Sequence, residues 1–426
     1  MKFVADLHLH SSYARATAKN LDFKTLSTWA RIKGINLLSS ADFTHPLWFE
    51  ETKRMLVEDG SGLFDFDGFK FILGAELSSI FSQGGKLRRI HSLIYTPDLE
   101  SAEKINKELL KRGAKLASDG RPVVGLSVRN LLEIILEANE DSILIPAHAW
   151  TPWFGLYGTN SGFDSIKEAF GDLEKYVYGI ETGLSSNPEM NWRVRDLDQR
   201  SIVSFSDAHS SAKMGREVTI FQEELSYRGL LRALKNQKIE RTLEFFPEEG
   251  KYHFTGHRAC FIRHSPHETA KLGLICPRCG KPLTIGVMHR LSQLAEQNRP
   301  EGFSDPQRPG FQMMVPLLEI LAEVLGSPPA SKKVMQDYQN LIKEFKNELN
   351  ILFEVKEGEL EKNHSPRLAQ AIAKVRKGEI VIEPGYDGIF GVVQIWPDER
   401  VVKKKIEAQR QKITAKEETN QISLFD

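Results

Sequence analysis

The sequence predicts an α/β fold: a distorted seven-stranded (β/α) barrel over residues 1–245, with smaller segments behind it. Three observations carry that expectation. Short apolar runs at 3–9, 36–40, 69–77, 91–96, 143–148, 177–181 and 202–206 read as strands. Amphipathic stretches at 23–33, 102–112, 128–138 and 227–236 alternate with them, the pattern of a largely parallel sheet. Histidines and carboxylates follow the apolar runs, at the strand ends where a barrel gathers its functional groups. An open doubly wound sheet is the alternative, but ligand-type residues from so many strands favour closure.

Taken in order, the first run ends in His8-x-His10, and residues two apart on a strand point to the same side. Both imidazoles therefore leave the strand together, with Asp6 placed to orient or join them. Asp42-x-x-His45, Glu76, His91, His148 and Asp207-x-His209 follow at later strand ends. This mixed set suits zinc, manganese or iron better than the all-oxygen shells of calcium or magnesium. Its size implies two or three divalent ions, a cluster able to generate a nucleophile near neutral pH. Zinc is the expected ion, with manganese or magnesium as alternatives. His8, His10, Glu76, His148, Asp207 and His209 are the expected catalytic set; Asp42, His45 and His91 complete the metal ligands.

Composition narrows the function classes. The chain has 426 residues, 41% hydrophobic and 27% charged, enough for two to four domains. Neither a membrane span nor a leader is legible, and three cysteines, two in a CxxC pair, suit a reducing cytoplasmic setting. Net charge is zero, so any nucleic-acid contact has to come from local patches. Two such patches stand out. The 84–89 stretch, with Lys86, Arg88 and Arg89, reads as a basic loop facing phosphates, and Trp150, Trp153, Tyr157 and Asn160 form an aromatic loop suited to stacking on an unpaired base.

Together, His8-x-His10, Asp42/His45, Glu76, His91, His148 and Ser206-Asp207-Ala208-His209 resemble the motifs of the PHP (polymerase and histidinol phosphatase) family. The resemblance covers about residues 1–245 and implies a seven-stranded barrel with a trinuclear centre that hydrolyses phosphate esters. The sequence departs from the family pattern after His10, where Ser11–Ala16 offers no acidic residue or histidine, and in Asp42-Phe-Thr-His45. Either Asp42 or His45 can then be the ligand, and one of three metal positions is short of one.

Residues 246–300 form a zinc-binding module: His257-x-x-Cys260 and Cys276-x-x-Cys279, the second pair followed by a glycine. His264 and His267 are rival fourth ligands; His257 has the spacing that matches the CxxC pair. A redox CxxC is the alternative, but no thioredoxin-like context surrounds it. Arg258, Arg278, Lys281, His289 and Arg290 would make this surface basic. Residues 301–398 carry helical patterns at 315–325 and 332–352, then a β-hairpin around Pro384-Gly-Tyr-Asp-Gly388.

Barrel, zinc module, helical segment and hairpin together resemble the endonuclease Q family over essentially the whole chain. That resemblance implies a DNA-repair endonuclease cutting 5′ to deaminated bases (uracil, hypoxanthine, xanthine) or abasic sites, with the damaged base flipped out. A small-molecule or nucleotide phosphoesterase, and a non-catalytic repair scaffold, are the alternatives. No GxxxxGK[ST] phosphate loop occurs, which excludes an ATP-driven motor of that type.

The charged tail at 399–426 ends in Gln421-x-x-Leu424-Phe425, which resembles a sliding-clamp binding peptide. Deleting residues 421–426 should abolish clamp capture in a pull-down while leaving nicking of short oligonucleotides unchanged. Clamp capture by the truncated protein would remove the assignment.

Overall fold

The computed structural model describes residues 1–398, 406–409 and 411; the tail with Gln421, Leu424 and Phe425 lies outside them. The mixed α/β expectation holds. The strands that position the site are β1 (Phe3–Asp6), β2 (Leu37–Ser39), β3 (Phe69–Gln83), β4 (Lys86–Thr96), β5 (Ile143–Pro146), β6 (Gly179–Glu181), β7 (Ser201–Val203), β8 (Val218–Phe221), β9 (Ile239–Glu244) and β10 (Gly310–Met313). β1 lies parallel to β2, and β2 to β3, with Ala5 opposite Leu37 and Leu38 opposite Phe71. β3 and β4 are antiparallel, as are β4 and β5, and β6 runs parallel to β7. Ala149 N–H donates to the Glu181 carbonyl (3.0 Å), linking the end of β5 to β6. His10 N–H donates to the Ala208 carbonyl (3.2 Å), bringing the segment after β7 back beside β1.

The sheet is not largely parallel. β1 pairs antiparallel with β8, and β8 with β9. Two of the apolar runs seen in sequence, 69–77 and 91–96, are also pieces of longer strands. Gly84 and Gly85, at φ of 61° and 72°, make a tight reversal joining β3 directly to β4. Residues 86–89 are therefore strand rather than loop. Alternating apolar residues do not distinguish a parallel strand from one arm of a hairpin, which explains the error.

The remaining segments pack onto this framework. β10 extends the main sheet, parallel to β9, with Thr242 opposite Phe311. The expected helix over 332–352 is two helices, Lys332–Phe345 and Glu348–Phe353, broken where Lys346 takes φ 75°. That break turns Glu348 inward, where it is 1% exposed and accepts from Lys33 Nζ (2.7 Å), Tyr338 Oη (2.6 Å) and Leu317 N (3.0 Å). Lys33 ends the helix Phe23–Lys33. Gly34 caps that helix at φ 92°, and a Cβ there would meet Asn347 Oδ1 at 2.6 Å, so the position needs glycine twice over. The expected hairpin forms from Val381–Glu383 and Val392–Gln394. Its turn is stapled to the 246–300 segment: Asp387 accepts from Arg258 N (2.7 Å) and Thr284 Oγ1 (2.6 Å).

No helix among the described residues is long and apolar enough to cross a membrane. Lys33→Ala should leave the Glu348 carboxylate buried without its cation and lower stability by about 3 kcal/mol. Equilibrium denaturation measures this, and a loss below about 1 kcal/mol, the range of exposed pairs, would contradict the buried role.

Candidate metal centre and adjoining pocket

Glu76 lies on β3 with its side chain 0% exposed, and each of its carboxylate oxygens serves a different group of histidines. Oε2 is 3.4 Å from His8 Nε2 and 3.2 Å from His10 Nε2. Asp207 Oδ1 completes that group, 3.4 Å and 3.3 Å from the same nitrogens. Oε1 is 2.8 Å from His91 Nδ1 and 3.2 Å from His148 Nε2. His8, His10, Glu76 and Asp207 thus form one cation-sized cluster, and Glu76, His91 and His148 a second. The donor set fits divalent transition metals. His8 Nε2, His10 Nε2 and Asp207 Oδ1 are buried and lack hydrogen-bond partners, as atoms reserved for a cation would be.

The backbone is bent to aim these groups. Asp42, His148 and Asp207 take φ of 43°, 30° and 47°, unfavourable for residues with a Cβ. Glu181 holds two elements at once: it lies 2.9 Å from His8 Nδ1 and accepts from His148 N at 2.7 Å. Asp6 accepts from Ser206 N and Gly215 N, both at 2.9 Å, and Arg216 Nε donates to the Ser206 carbonyl (2.8 Å), fixing the segment that carries Asp207. Arg121 Nη1 is 3.1 Å from Glu76 Oε2.

Burial alone would lower the pKa of His8, yet Glu181, Asp207 and Glu76 raise it well above the usual histidine value. His10 is likewise raised against burial, by Asp207, Asp42 and Glu76. Desolvation dominates at His91 and takes it down to about 4, so that ring is neutral and ready to ligate. Burial pushes Asp6 up to about 6.

Beside the clusters opens a pocket of about 330 Å³ whose floor includes His91, His148 and Asp207. Its walls come from Trp153 and Phe154, Gly183–Ser185, Lys251–His253, Val287 and Phe390. Trp153, 37% exposed, meets Tyr252 edge to face at 5.2 Å. Farther out, His257, Cys260, Cys276 and Cys279 gather into a third cluster; His264 and His267 are not in it. Despite desolvation, backbone N–H groups such as that of Arg278 pull Cys276 down to about 6, favouring thiolate. Burial and its sulfur neighbours push Cys260 up to about 11.

Comparison with known proteins adds independent information. The MJ0043 C-terminal domain family matches residues 316–379. The lesion-specific endonuclease PfuEndoQ from Pyrococcus furiosus superposes with a TM-score of 0.82 at 29% identity, over 94% of this chain and 97% of its own. An endonuclease Q solved with a 27-mer duplex bearing an abasic lesion at the active site also gives 0.82, at 30% identity over 96% of this chain and all of that one.

This chain belongs to the endonuclease Q family.

The Methanocaldococcus jannaschii protein MJ0043 is 30% identical over 295 residues; the match spans 66% of this chain and 35% of that longer protein. Within this endonuclease Q member, the sequence reading is met unevenly. His8, His10, Glu76, His91, His148 and Asp207 come together. Asp42 and His45 do not join them. Asp42 accepts from Ser11 N (2.7 Å) and Ser11 Oγ (2.6 Å) and lies 3.3 Å from His10 Nδ1, so it orients His10 from behind. His45 packs its ring on Tyr13 at 4.6 Å. His209 stands beside His10, ring centroids 4.7 Å apart, outside both clusters.

Three expected DNA contacts are corrected. Arg88 is buried, donates to the Gly162 carbonyl, pairs with Glu168 (2.9 Å) and lies over Phe163. Trp150 and Tyr157 stack on each other in the core and donate to Asn191 (2.7 Å) and Asp196 (2.8 Å). Lys86, Trp153 and Asn160 remain exposed and Arg89 half-buried. Arg290 is also internal, donating to the Tyr157 and Phe163 carbonyls (2.9 and 3.1 Å). Glu181 and Arg121 were missed. Glu181 carries the same signal as the others, an acid ending an apolar run; Arg121, in a loop, carries none.

Because the neighbouring carboxylates raise His8 and His10, a cation bound there would have to displace their protons. Affinity for Mn²⁺ should therefore rise with pH above the ordinary histidine range, with proton release on binding. Calorimetry of the chelator-stripped protein in two buffers of different ionisation heat measures this, and uptake without proton release would contradict it.

Proposed function

We propose that this chain is a metal-dependent DNA endonuclease that cuts 5′ to deaminated bases (uracil, hypoxanthine, xanthine) or abasic sites. Family membership makes it a hydrolytic DNA endonuclease; lesion class and polarity are the proposal. The observation that carries it is an apolar pocket of about 330 Å³ lined by His91, His148 and Asp207, residues of two metal-type clusters sharing Glu76. A pocket of this size and lining suits a compact organic ring. Support also comes from the structural relative that holds an abasic duplex at its active site.

In this reading the framework is a PHP-type barrel, a view supported by the run of backbone pairings from β1 to β7 and back to β1. His8, His10, Glu76 and Asp207 would hold one divalent ion, and Glu76, His91 and His148 another. Such ions would supply Lewis-acid activation of water and charge neutralisation at a phosphate. Glu181 and Asp42 keep His8 and His10 turned toward the centre, and Arg121 adds a fixed positive charge at its edge. A lesion nucleotide turned out of the stack enters the pocket between Trp153 and Phe390, where apolar walls exclude water. Exposed Lys86, Arg278 and Lys281 are available to the phosphate backbone. Four ligands from the His257 cluster would leave no open position, which supports a structural role for a zinc ion held there. A clamp-bound tail would add local concentration without altering the chemistry.

Nicking should appear on duplexes carrying one uracil, hypoxanthine or abasic site and not on undamaged duplex, with the cut on the 5′ side by end-label mapping. Asp207→Ala should reduce it by more than about a hundredfold, beyond the loss of an outer partner. Full nicking by that variant, or cuts on the 3′ side, would refute the corresponding part.

A further inference from the structure

One permanent cation stands at the edge of the ligand clusters without belonging to them. Arg121 Nη1 donates to Glu76 Oε2 at 3.1 Å, the same oxygen that faces His8 Nε2 and His10 Nε2 at 3.4 and 3.2 Å. Its charge acts on Asp207, His91 and His209 as well as on Glu76, so the guanidinium is close to both clusters. The bond to Glu76 is its one side-chain hydrogen bond among the described residues, and the side chain is 28% exposed. Most of its five N–H donors are therefore left without a protein partner.

The backbone around it is pinned. Arg121 N–H donates to Asp119 Oδ1 (3.2 Å), which also accepts from Arg15 N (3.1 Å). Gly120 N–H donates to the Tyr13 carbonyl (3.1 Å), and Asp42 leaves no room for a Cβ on Gly120. Ser78 N–H, two residues from Glu76 along β3, donates to the Pro122 carbonyl (3.1 Å). Only the side chain is left to change partner.

In the protein alone, Arg121 is a counter-ion for a carboxylate that has no water to solvate it. A divalent ion held by His8, His10, Glu76 and Asp207 would face the guanidinium across one oxygen, and the two cations would repel. The guanidinium then gains by turning to an anion. A phosphate drawn to that cluster has to approach Glu76 Oε2, and the planar fork of arginine matches two phosphate oxygens. Resting on the metal-dependent endonuclease reading above, we propose that Arg121 changes partner: it holds Glu76 while the first cluster is empty, and binds a non-bridging oxygen of the scissile phosphate once a cation is in place. The charge stays at the edge of the centre throughout, and only its hydrogen bonds are exchanged.

The test separates cation binding from phosphate binding, both measured calorimetrically without DNA. Mn²⁺ is titrated into the chelator-treated full chain, and inorganic phosphate into the Mn²⁺-loaded chain. Arg121→Gln removes the charge, so Mn²⁺ should bind about threefold or more tightly, while phosphate should bind about tenfold or more weakly. Arg121→Lys keeps the charge and loses the fork; Mn²⁺ affinity should stay near that of the wild type and phosphate affinity should fall between the two. An arginine that merely supports the fold would weaken both ligands when lost. Mn²⁺ affinity that is unchanged or lower in Arg121→Gln would overturn the proposal, and so would unchanged phosphate affinity or a loaded wild type that binds no phosphate. A wild type that binds both ligands yet nicks no lesion-bearing duplex would instead overturn the endonuclease reading.

Discussion

The structure depends on one buried carboxylate being shared. Glu76 cannot keep its charge away from water without cations, and both its oxygens point at histidines drawn from three other parts of the chain. His91, once protonated at low pH, together with Arg121, His8 and His10 overcomes the desolvation that would raise its pKa and holds it well below the usual carboxylate range. Without metal, protonated His8 and His10 balance that charge. The same atoms are the ones that would ligate a cation, so one geometry would serve both roles.

Sharing fixes the surrounding architecture. For His8 and His10 to reach Oε2 while His91 and His148 reach Oε1, the ends of β1 and β5 and the middle of β4 must lie level with the middle of β3. Antiparallel pairing of β3 with β4 achieves this by setting His91 opposite Ser78, two residues from Glu76. The left-handed backbone at Asp42, His148 and Asp207 is the strain that remains. Glu181, Asp6 and Arg216 hold those segments in place through hydrogen bonds rather than packing.

The later segments complete the site instead of standing apart from it. The 246–300 segment supplies Tyr252, His253 and Val287 to the pocket, and the C-terminal hairpin supplies Phe390. Asp387 binds the hairpin to the zinc-type module, and Gly385 and Gly391 N–H groups donate to the Glu248 and Glu249 carbonyls. Lys33, Tyr338 and Glu348 anchor the helical region to the first helix. A pocket assembled from such distant parts needs each anchor to keep its shape.

By itself the sequence determined the residue chemistry: His8-x-His10 leaving a strand together, Asp207 and the other ligand types after apolar runs, HxxC with CxxC, and the glycine-marked hairpin. These are local signals, set by side-chain periodicity and by which residue types bind metals. Tertiary structure alone decided which candidates meet. Asp42 was legible as an acid near His10, but only the fold places it behind that ring rather than at the centre. Arg88, Trp150 and Tyr157 looked like surface contacts, and only cross-strand and loop packing buries them. The double use of Glu76 and the joining of His8, His91, His148 and Asp207 come from contacts between residues far apart in the chain. Such contacts depend on strand register and packing, which no local pattern encodes.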